Sequence, residues 1–272
     1  MTILYTVLGI ALALFVLYYL LLRCRHGHKM LGRLQGWDYA HRGLHGDGVP
    51  ENSMEAFRLA LEGGYGIELD VHLMADGNLA VIHDASLKRT AGADVRIEDL
   101  TLADLDAYRL EGTEKKIPLF KDVLALYEGK APMIIELKAE KGNHGKLAQA
   151  VCDMLEDYKG DYCLESFDPR VIHWLRKNRP CQCRGQLAEN FFRSPSSKLP
   201  AYLKFVLTHQ LETFLIVPDF VAYKFADRKH LGLWISRHLW GAQGVTWTVT
   251  RQEDLELAKK EGWLVIFEGF RP

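Results

Sequence analysis

The sequence predicts an α/β fold, a TIM-type (β/α)8 barrel preceded by a single transmembrane helix. Three observations carry this. From residue 36 onward, short β-like runs alternate with amphipathic helical stretches, the pattern of βα units and a parallel sheet. Polar residues stand at the ends of several of these runs, in both halves of the chain. A doubly wound sheet gathers its ligand at one switch point, whereas all strands of a barrel converge on one site at their C-terminal ends. Residues 2–22 hold no charge. The remaining length is close to the roughly 250 residues of one barrel, and no Gly/Ser/Pro-rich linker or internal repeat divides the 272-residue chain. The expected organisation is a membrane anchor over 1–24, a basic juxtamembrane linker over 25–35 and a barrel over 36–272.

The apolar run is long enough to span: at 1.5 Å per residue it covers about 30 Å, the thickness of a bilayer's hydrocarbon core. A cleaved signal peptide would begin with basic residues and end at a small-residue cleavage site. Here the chain starts Met1-Thr2-Ile3 and the run ends in Arg23-Cys24-Arg25-His26, which favours an uncleaved single-pass anchor. A buried core helix would show a polar stripe. Tyr18 and Tyr19 suit the membrane–water interface. Arg23, Arg25, Lys29 and Arg33 follow the run and no Lys or Arg precedes it, so the positive-inside rule places the following domain in the cytoplasm. The five cysteines are odd in number, without a CxxC pair, and Cys181-Gln182-Cys183 lacks zinc-knuckle spacing. They read as free thiols in a reducing compartment. A formal net charge of −1 argues against nucleic acid as a partner, which needs a basic surface.

Strands are expected at 38–40, 66–72, 79–82, 133–137, 162–166, 184–187, 214–217, 245–249 and 264–267. Helices are expected at 53–61, 119–127, 145–158, 169–178 and 253–261. Nine strands is one more than a barrel needs, and either 214–217 or the weak first strand is the one to drop.

The run Ile67-Glu68-Leu69-Asp70-Val71 carries most of the chemistry. Side chains alternate faces along a strand, so Ile67, Leu69 and Val71 can pack on helices while Glu68 and Asp70 share the opposite face. Two carboxylates so close repel, and one must take a proton unless a cation joins them. Hard oxygen ligands suit Mg²⁺ or Ca²⁺. The run Ile134-Ile135-Glu136-Leu137-Lys138 repeats the device, offering Glu136 as a third metal ligand and Lys138 as a point charge for an anionic substrate. His41 follows the first strand and His83 the third. Imidazole gives and takes protons near neutral pH. Arg42 has the planar fork that suits phosphate oxygens. Asp84 is placed to orient His83 or cap the next turn, and Asn52 or Ser53 to cap a helix. Glu51 either orients Arg42 or faces the metal, the former preferred.

These residues form one ordered string: His41-Arg42-Gly43, Pro50-Glu51-Asn52, Glu68-Leu69-Asp70-Val71, Asp76-Gly77, His83-Asp84, then Glu136-Leu137-Lys138. It closely resembles the glycerophosphodiester phosphodiesterase family. The similarity continues more loosely through Arg89-Thr90, Ile117-Pro118-Leu119, Ser166-Phe167-Asp168-Pro169 and Trp247-Thr248-Val249. The resemblance implies a TIM-type barrel that hydrolyses a glycerophosphodiester to glycerol 3-phosphate and an alcohol. It implies a divalent metal on Glu68, Asp70 and Glu136, acid and base roles for His41 and His83, and phosphate binding by Arg42 and Lys138. The chain departs from the family at Thr250 and at Phe267-Glu268-Gly269-Phe270-Arg271-Pro272, positions expected nearer the alcohol-binding rim than the metal. Two alternatives stand beside a soluble glycerophosphodiester as substrate. One is a lysophospholipase D acting in the membrane, suggested by the anchor and by the aromatic and basic stretch over 191–240. The other is an inactive membrane-tethered binding protein, whose mark would be loss of a site residue; none is lost.

Overall fold

The structure, a computed structural model, describes residues 1–195 and 197–272. Helices are α1 (Thr2–Leu21), α2 (Lys29–Arg33), α3 (Met54–Glu62), α4 (Lys88–Ala91), α5 (Phe120–Tyr127), α6 (His144–Met154), α7 (Pro169–Asn178), α8 (Ala201–Thr208), α9 (Thr213–Ile216), α10 (Leu231–His238) and α11 (Gln252–Lys260). Strands are β1 (Asp38–Ala40), β2 (Gly66–Leu73), β3 (Leu79–Val81), β4 (Met133–Leu137), β5 (Tyr162–Ser166), β6 (Arg184–Ala188), β7 (Phe220–Lys224), β8 (Gln243–Val249) and β9 (Trp263–Phe267). Eight of them, all but β3, pair in parallel in the order β1-β2-β4-β5-β6-β7-β8-β9, and β9 returns to β1. The result is a closed barrel of the TIM type.

The choice between 38–40 and 214–217 is decided, and two expectations need correction. The weak first strand is real: β1 closes the ring, pairing with β2 on one side and β9 on the other. The expected strand at 214–217 lies instead in α9, where Phe214 and Leu215 are exposed. Past Pro218 the chain enters β7, whose Phe220-Val221-Ala222-Tyr223 is buried throughout. A short apolar run does not reveal its period, and two adjacent ones were open to exchange. The expected third strand is no stave of the barrel. β3 is antiparallel to β2, with Val71 opposite Val81 and Leu73 opposite Leu79. β2 overshoots the rim, turns at Asp76-Gly77, and β3 brings the chain back down to His83.

The alternation of β2 and β4 sorts the core into two shells. Ile67, Leu69, Val71, Met133, Ile135 and Leu137 face outward and pack with Phe57, Phe120, Leu147 and Leu175 from the surrounding helices. Ile134, Cys163, Leu187, Ala222, Val245 and Leu264 fill the interior. Local signals fix the helices: Ser53 Oγ accepts the Ala56 N–H at 3.1 Å to start α3, and Asp168 accepts the Arg170 N–H at 2.9 Å, with Pro169 in the first turn of α7.

The segment 25–35, expected as a linker, is packed onto the barrel base. The Arg25 N–H donates to the Pro218 carbonyl at 2.8 Å. Its guanidinium pairs with Asp219, while Leu31 and Leu34 close the interior from below. α1 is the one helix among the described residues long and apolar enough to cross a membrane, with mean hydropathy 2.3 and no residue of it buried. Membrane spans and signal segments share this length and composition. No disulfide joins the cysteines; Cys181 is exposed and the other four are buried.

Candidate active site

The inward parity of β2 and β4 delivers three carboxylates to one spot. Asp70 and Glu136 are register partners on neighbouring strands, and Glu68 stands two residues below Asp70 on the same face. All three are buried, and one oxygen from each lies within 4.8 Å of the others. Burial first, then the neighbouring Asp70 and Glu136 charges, pushes the Glu68 carboxyl well above its usual range. Burial likewise raises Glu136. Against the same burial penalty, the charges of Lys138, His83 and Arg42 hold Asp70 well below. Lys138 Nζ sits 3.0 Å from Asp70 Oδ1 and 2.7 Å from Glu136 Oε2.

A fourth acid joins them that sequence reasoning missed. Glu165 of β5 is in register with Glu136, fully buried, and raised well above the usual range by burial and then by the Glu136 charge. Its Oε2 finds no hydrogen-bond partner. The signal was present: Cys163-Leu164-Glu165 repeats the in–out–in alternation that singles out Glu68 and Glu136. Carboxylates that outnumber the local cations, with an orphaned oxygen beside them, are a donor set that fits one hard divalent cation.

The β1–α3 loop supplies the next layer. Arg42 has φ +54° and Asn52 φ +52°, sparsely populated for residues with a Cβ and typical of functional sites. Gly43, at φ +80°, lies so near α3 that a Cβ would come within 2.8 Å of Ala56. The bend places the Arg42 N–H 3.1 Å from Glu68 Oε2 and its Nε 3.5 Å from Asp70 Oδ2. Glu51 takes the orienting role: both its oxygens accept from Arg42 at 3.0 Å, and Arg89 clamps them from the other side at 2.6 and 3.0 Å. Ser53, not Asn52, caps α3; the Asn52 amide donates to Asp70 Oδ2 at 2.8 Å.

Each histidine is held by a carboxylate at Nδ1. For His83 the partner is Asp84, at 2.6 Å. The hydrogen bond to His83 and then Arg89 keep Asp84 below the usual range. For His41 the partner is Glu268, in a close contact. That hydrogen bond brings the Glu268 carboxyl to about 2, while burial pushes His41 down. His41 Nε2 faces Glu68 Oε2 at 3.9 Å. Glu268, expected near an alcohol-binding rim, therefore lies one contact from the acids: it leaves β9 where His41 leaves β1, and those strands are neighbours.

His41, Arg42, Glu68, His83 and Glu136 line a cavity of about 150 Å³, whose other wall is Phe167, Leu187, Trp247 and Ile266. Lys138, paired with both Asp70 and Glu136, joins the remaining two residues to this lining. All seven residues singled out from the sequence thus meet at the C-terminal end of the barrel.

Comparison with known proteins identifies the family and the fold. The family model "Glycerophosphoryl diester phosphodiesterase family" matches residues 41–263. A Caldanaerobacter subterraneus glycerophosphodiester phosphodiesterase is 30% identical over 236 residues, 82% of this chain and 89% of that protein. Rat lysophospholipase D GDPD1 is 33% identical over 158 residues, 53% of this chain; the chain spans about half, 48%, of that relative's length. An Oleispira antarctica phosphodiesterase, solved in complex with the product sn-glycerol-3-phosphate, superposes with a TM-score of 0.71 over 88% of this chain and 94% of that one, at 20% identity, a likeness of fold. With the model matched across nearly the whole barrel, the chain belongs to the glycerophosphoryl diester phosphodiesterase family.

Proposed function

We propose that the protein hydrolyses glycerophosphodiesters to glycerol 3-phosphate and an alcohol, with a divalent cation, Mg²⁺ or Ca²⁺, held by Glu68, Asp70 and Glu136. The observation that carries this reading is the meeting of three buried carboxylates within 4.8 Å, at the family's own barrel mouth. When bound, the cation supplies Lewis-acid polarisation of a phosphoryl oxygen. Arg42 and Lys138 are the cationic groups beside the acids and stabilise charge that develops on the remaining phosphoryl oxygens. His41 and His83 each commit Nδ1 to a carboxylate, which leaves Nε2 to exchange a proton with the reacting oxygens. One takes the proton of the nucleophile and the other protonates the leaving alcohol; the nucleophile is water, or the glycerol 2-hydroxyl, in which case a cyclic phosphate forms first and water opens it to glycerol 3-phosphate. Glu268 and Asp84 fix the tautomers, a positioning role. Turnover of glycerophosphocholine, lost with EDTA and restored by Mg²⁺ or Ca²⁺, tests the reading; turnover indifferent to chelation ends it.

The domain organisation belongs to the same proposal: a single-pass anchor over residues 1–24, and a catalytic barrel over 36–272 with 25–35 as its basic collar. The basic flank after α1 supports a cytoplasmic barrel. Protease protection that finds the C-terminus outside the cell would reverse the orientation. A lysophospholipid is the second substrate, favoured by α1 and by the similarity to a lysophospholipase D.

A further inference from the structure

We infer that the barrel is seated mouth-first on the bilayer that α1 enters, with Phe192 and α8 immersed in lipid, so that a single-chain glycerophospholipid reaches the cavity without leaving the membrane. The seating rests on α1 and the barrel surface; only its substrate consequence rests on the phosphodiesterase reading.

The direction of α1 comes first. Its C-terminal end lies at the barrel base: the Leu21 carbonyl accepts from Thr213 Oγ1 at 2.8 Å, and Arg25 binds the Pro218 carbonyl and Asp219 just before β7 begins. Three residues earlier, the Tyr18 side chain points toward the rim side. Its hydroxyl meets the His209 carbonyl at 3.4 Å, and a Cβ on Gly232, in the first turn of α10 after β7 ends, would touch that hydroxyl at 2.5 Å. Tyr19 stacks on Trp240 at 4.7 Å. α1 therefore runs from the rim side toward the base, and residues 2–17, all exposed, continue in the rimward direction.

Length then removes the slack. Residues 2–17 rise about 24 Å at 1.5 Å per residue, short of the roughly 30 Å hydrocarbon core. A helix too short for its bilayer draws its flanks into the membrane, and here the flank is the barrel rim. That rim is built for it. Beyond residue 21, every exposed large apolar side chain among the described residues except Leu102 and Leu257 falls between residues 192 and 239, Phe214 and Leu215 of α9 lying nearer the base. At the rim stand Phe192 (55% exposed), Tyr202 (68%), Phe205 (51%) and Leu231 (58%). α8 reaches the mouth at its end, where Thr208 Oγ1 accepts the Phe191 N–H at 3.0 Å just past β6. Lys198, Arg193 and Lys229, all exposed, are interspersed for phosphate headgroups. From Phe191 an aromatic path leads inward: its ring is 6.2 Å from Phe167, which is 5.5 Å from Trp247 on the cavity wall.

The test uses the full chain in phosphatidylcholine vesicles carrying a diazirine-bearing phospholipid. On irradiation, label is expected in peptides covering 2–17 and 192–208 and absent from α2 and α11. Label absent from 192–208, or equal on α2 at the base, overturns the seating. With lysophosphatidylcholine in the same vesicles, Tyr202→Glu and Phe205→Glu should each cut its turnover about tenfold, the worth of one buried aromatic, while soluble glycerophosphocholine is turned over as by wild type. Equal losses on both substrates overturn the delivery role, and Tyr202→Glu, the more exposed position, decides should Phe205→Glu unfold. A protein that turns over neither substrate yet is labelled at the rim retires the phosphodiesterase reading and upholds the seating.

Discussion

The two ends of this barrel treat buried charge in opposite ways. At the base, Asp219 is fully matched: Arg25 holds both its oxygens, the Arg184 N–H donates to it at 3.0 Å, and the Arg184 guanidinium spends itself on the carbonyls of Val217, Ile216, Pro180 and Gln182. At the rim, Glu68, Asp70, Glu136 and Glu165 crowd together beside only Arg42 and Lys138, and three of the four are raised by burial. The backbone at Arg42 and Asn52 adopts positive φ there. A structure optimised only for stability would replace such acids with apolar residues. The base holds the fold together, and the rim keeps an unbalanced charge for a ligand to resolve.

Variants at the two ends should therefore separate activity from stability. The largest effect is expected at the rim: His41→Ala and His83→Ala should each lower kcat by roughly 10²–10⁴-fold, with melting temperatures near wild type. Near-normal turnover in a folded variant removes that histidine from the chemistry. At the base, Asp219→Ala strands the Arg25 guanidinium and the Arg184 N–H and should cost about 3 kcal/mol in denaturant unfolding, while kcat per folded molecule stays unchanged. A lower kcat would blur the division between the ends.

Glu212 sharpens the comparison, because it is a buried acid on the flank beneath α1 without a hydrogen-bond partner for either oxygen. Burial raises its carboxyl to about 8 from 4.5. Between those values the folded state keeps a proton that the unfolded state has lost, so stability present below pH 4.5 should fall as pH rises, by up to about 1.4 kcal/mol per pH unit. Denaturation of Glu212→Gln across this range should show a shallower slope than wild type; an identical slope contradicts the assignment. The smallest effect is expected at Glu268. Glu268→Gln should lower kcat about tenfold through a misoriented His41, with KM little changed and Glu268→Asp recovering part of the loss. A shift confined to KM would return Glu268 to the alcohol-binding role expected from the sequence.

What could be read in advance followed from period-two alternation. It placed Ile67, Leu69 and Val71 outward and Glu68, Asp70 and Glu136 inward, and it holds because both faces of a barrel strand are buried. Alternation also pointed to Glu165, though a single acid without a neighbour on its own strand did not attract notice. The exchange of 214–217 for β7 arose because two apolar runs flank Pro218, and only tertiary packing decides which is covered on both sides. The hairpin return of β3 was hidden for a similar reason: a strand's sequence does not state its direction. Glu268 escaped because its meaning depends on β9 lying beside β1, a contact between the two ends of the barrel domain. The docking of 25–35 beneath the barrel was equally invisible, since Arg25 reads as a membrane flank until Asp219 is seen beside it.

The central claim is that the rim acids hold one divalent cation. Calorimetric titration of Mg²⁺ or Ca²⁺ into chelator-treated protein tests it most directly. The account predicts uptake of a single ion per chain, abolished in Glu136→Gln, with glycerophosphocholine turnover returning in step with occupancy. An absence of uptake, or uptake undiminished in Glu136→Gln, would contradict it.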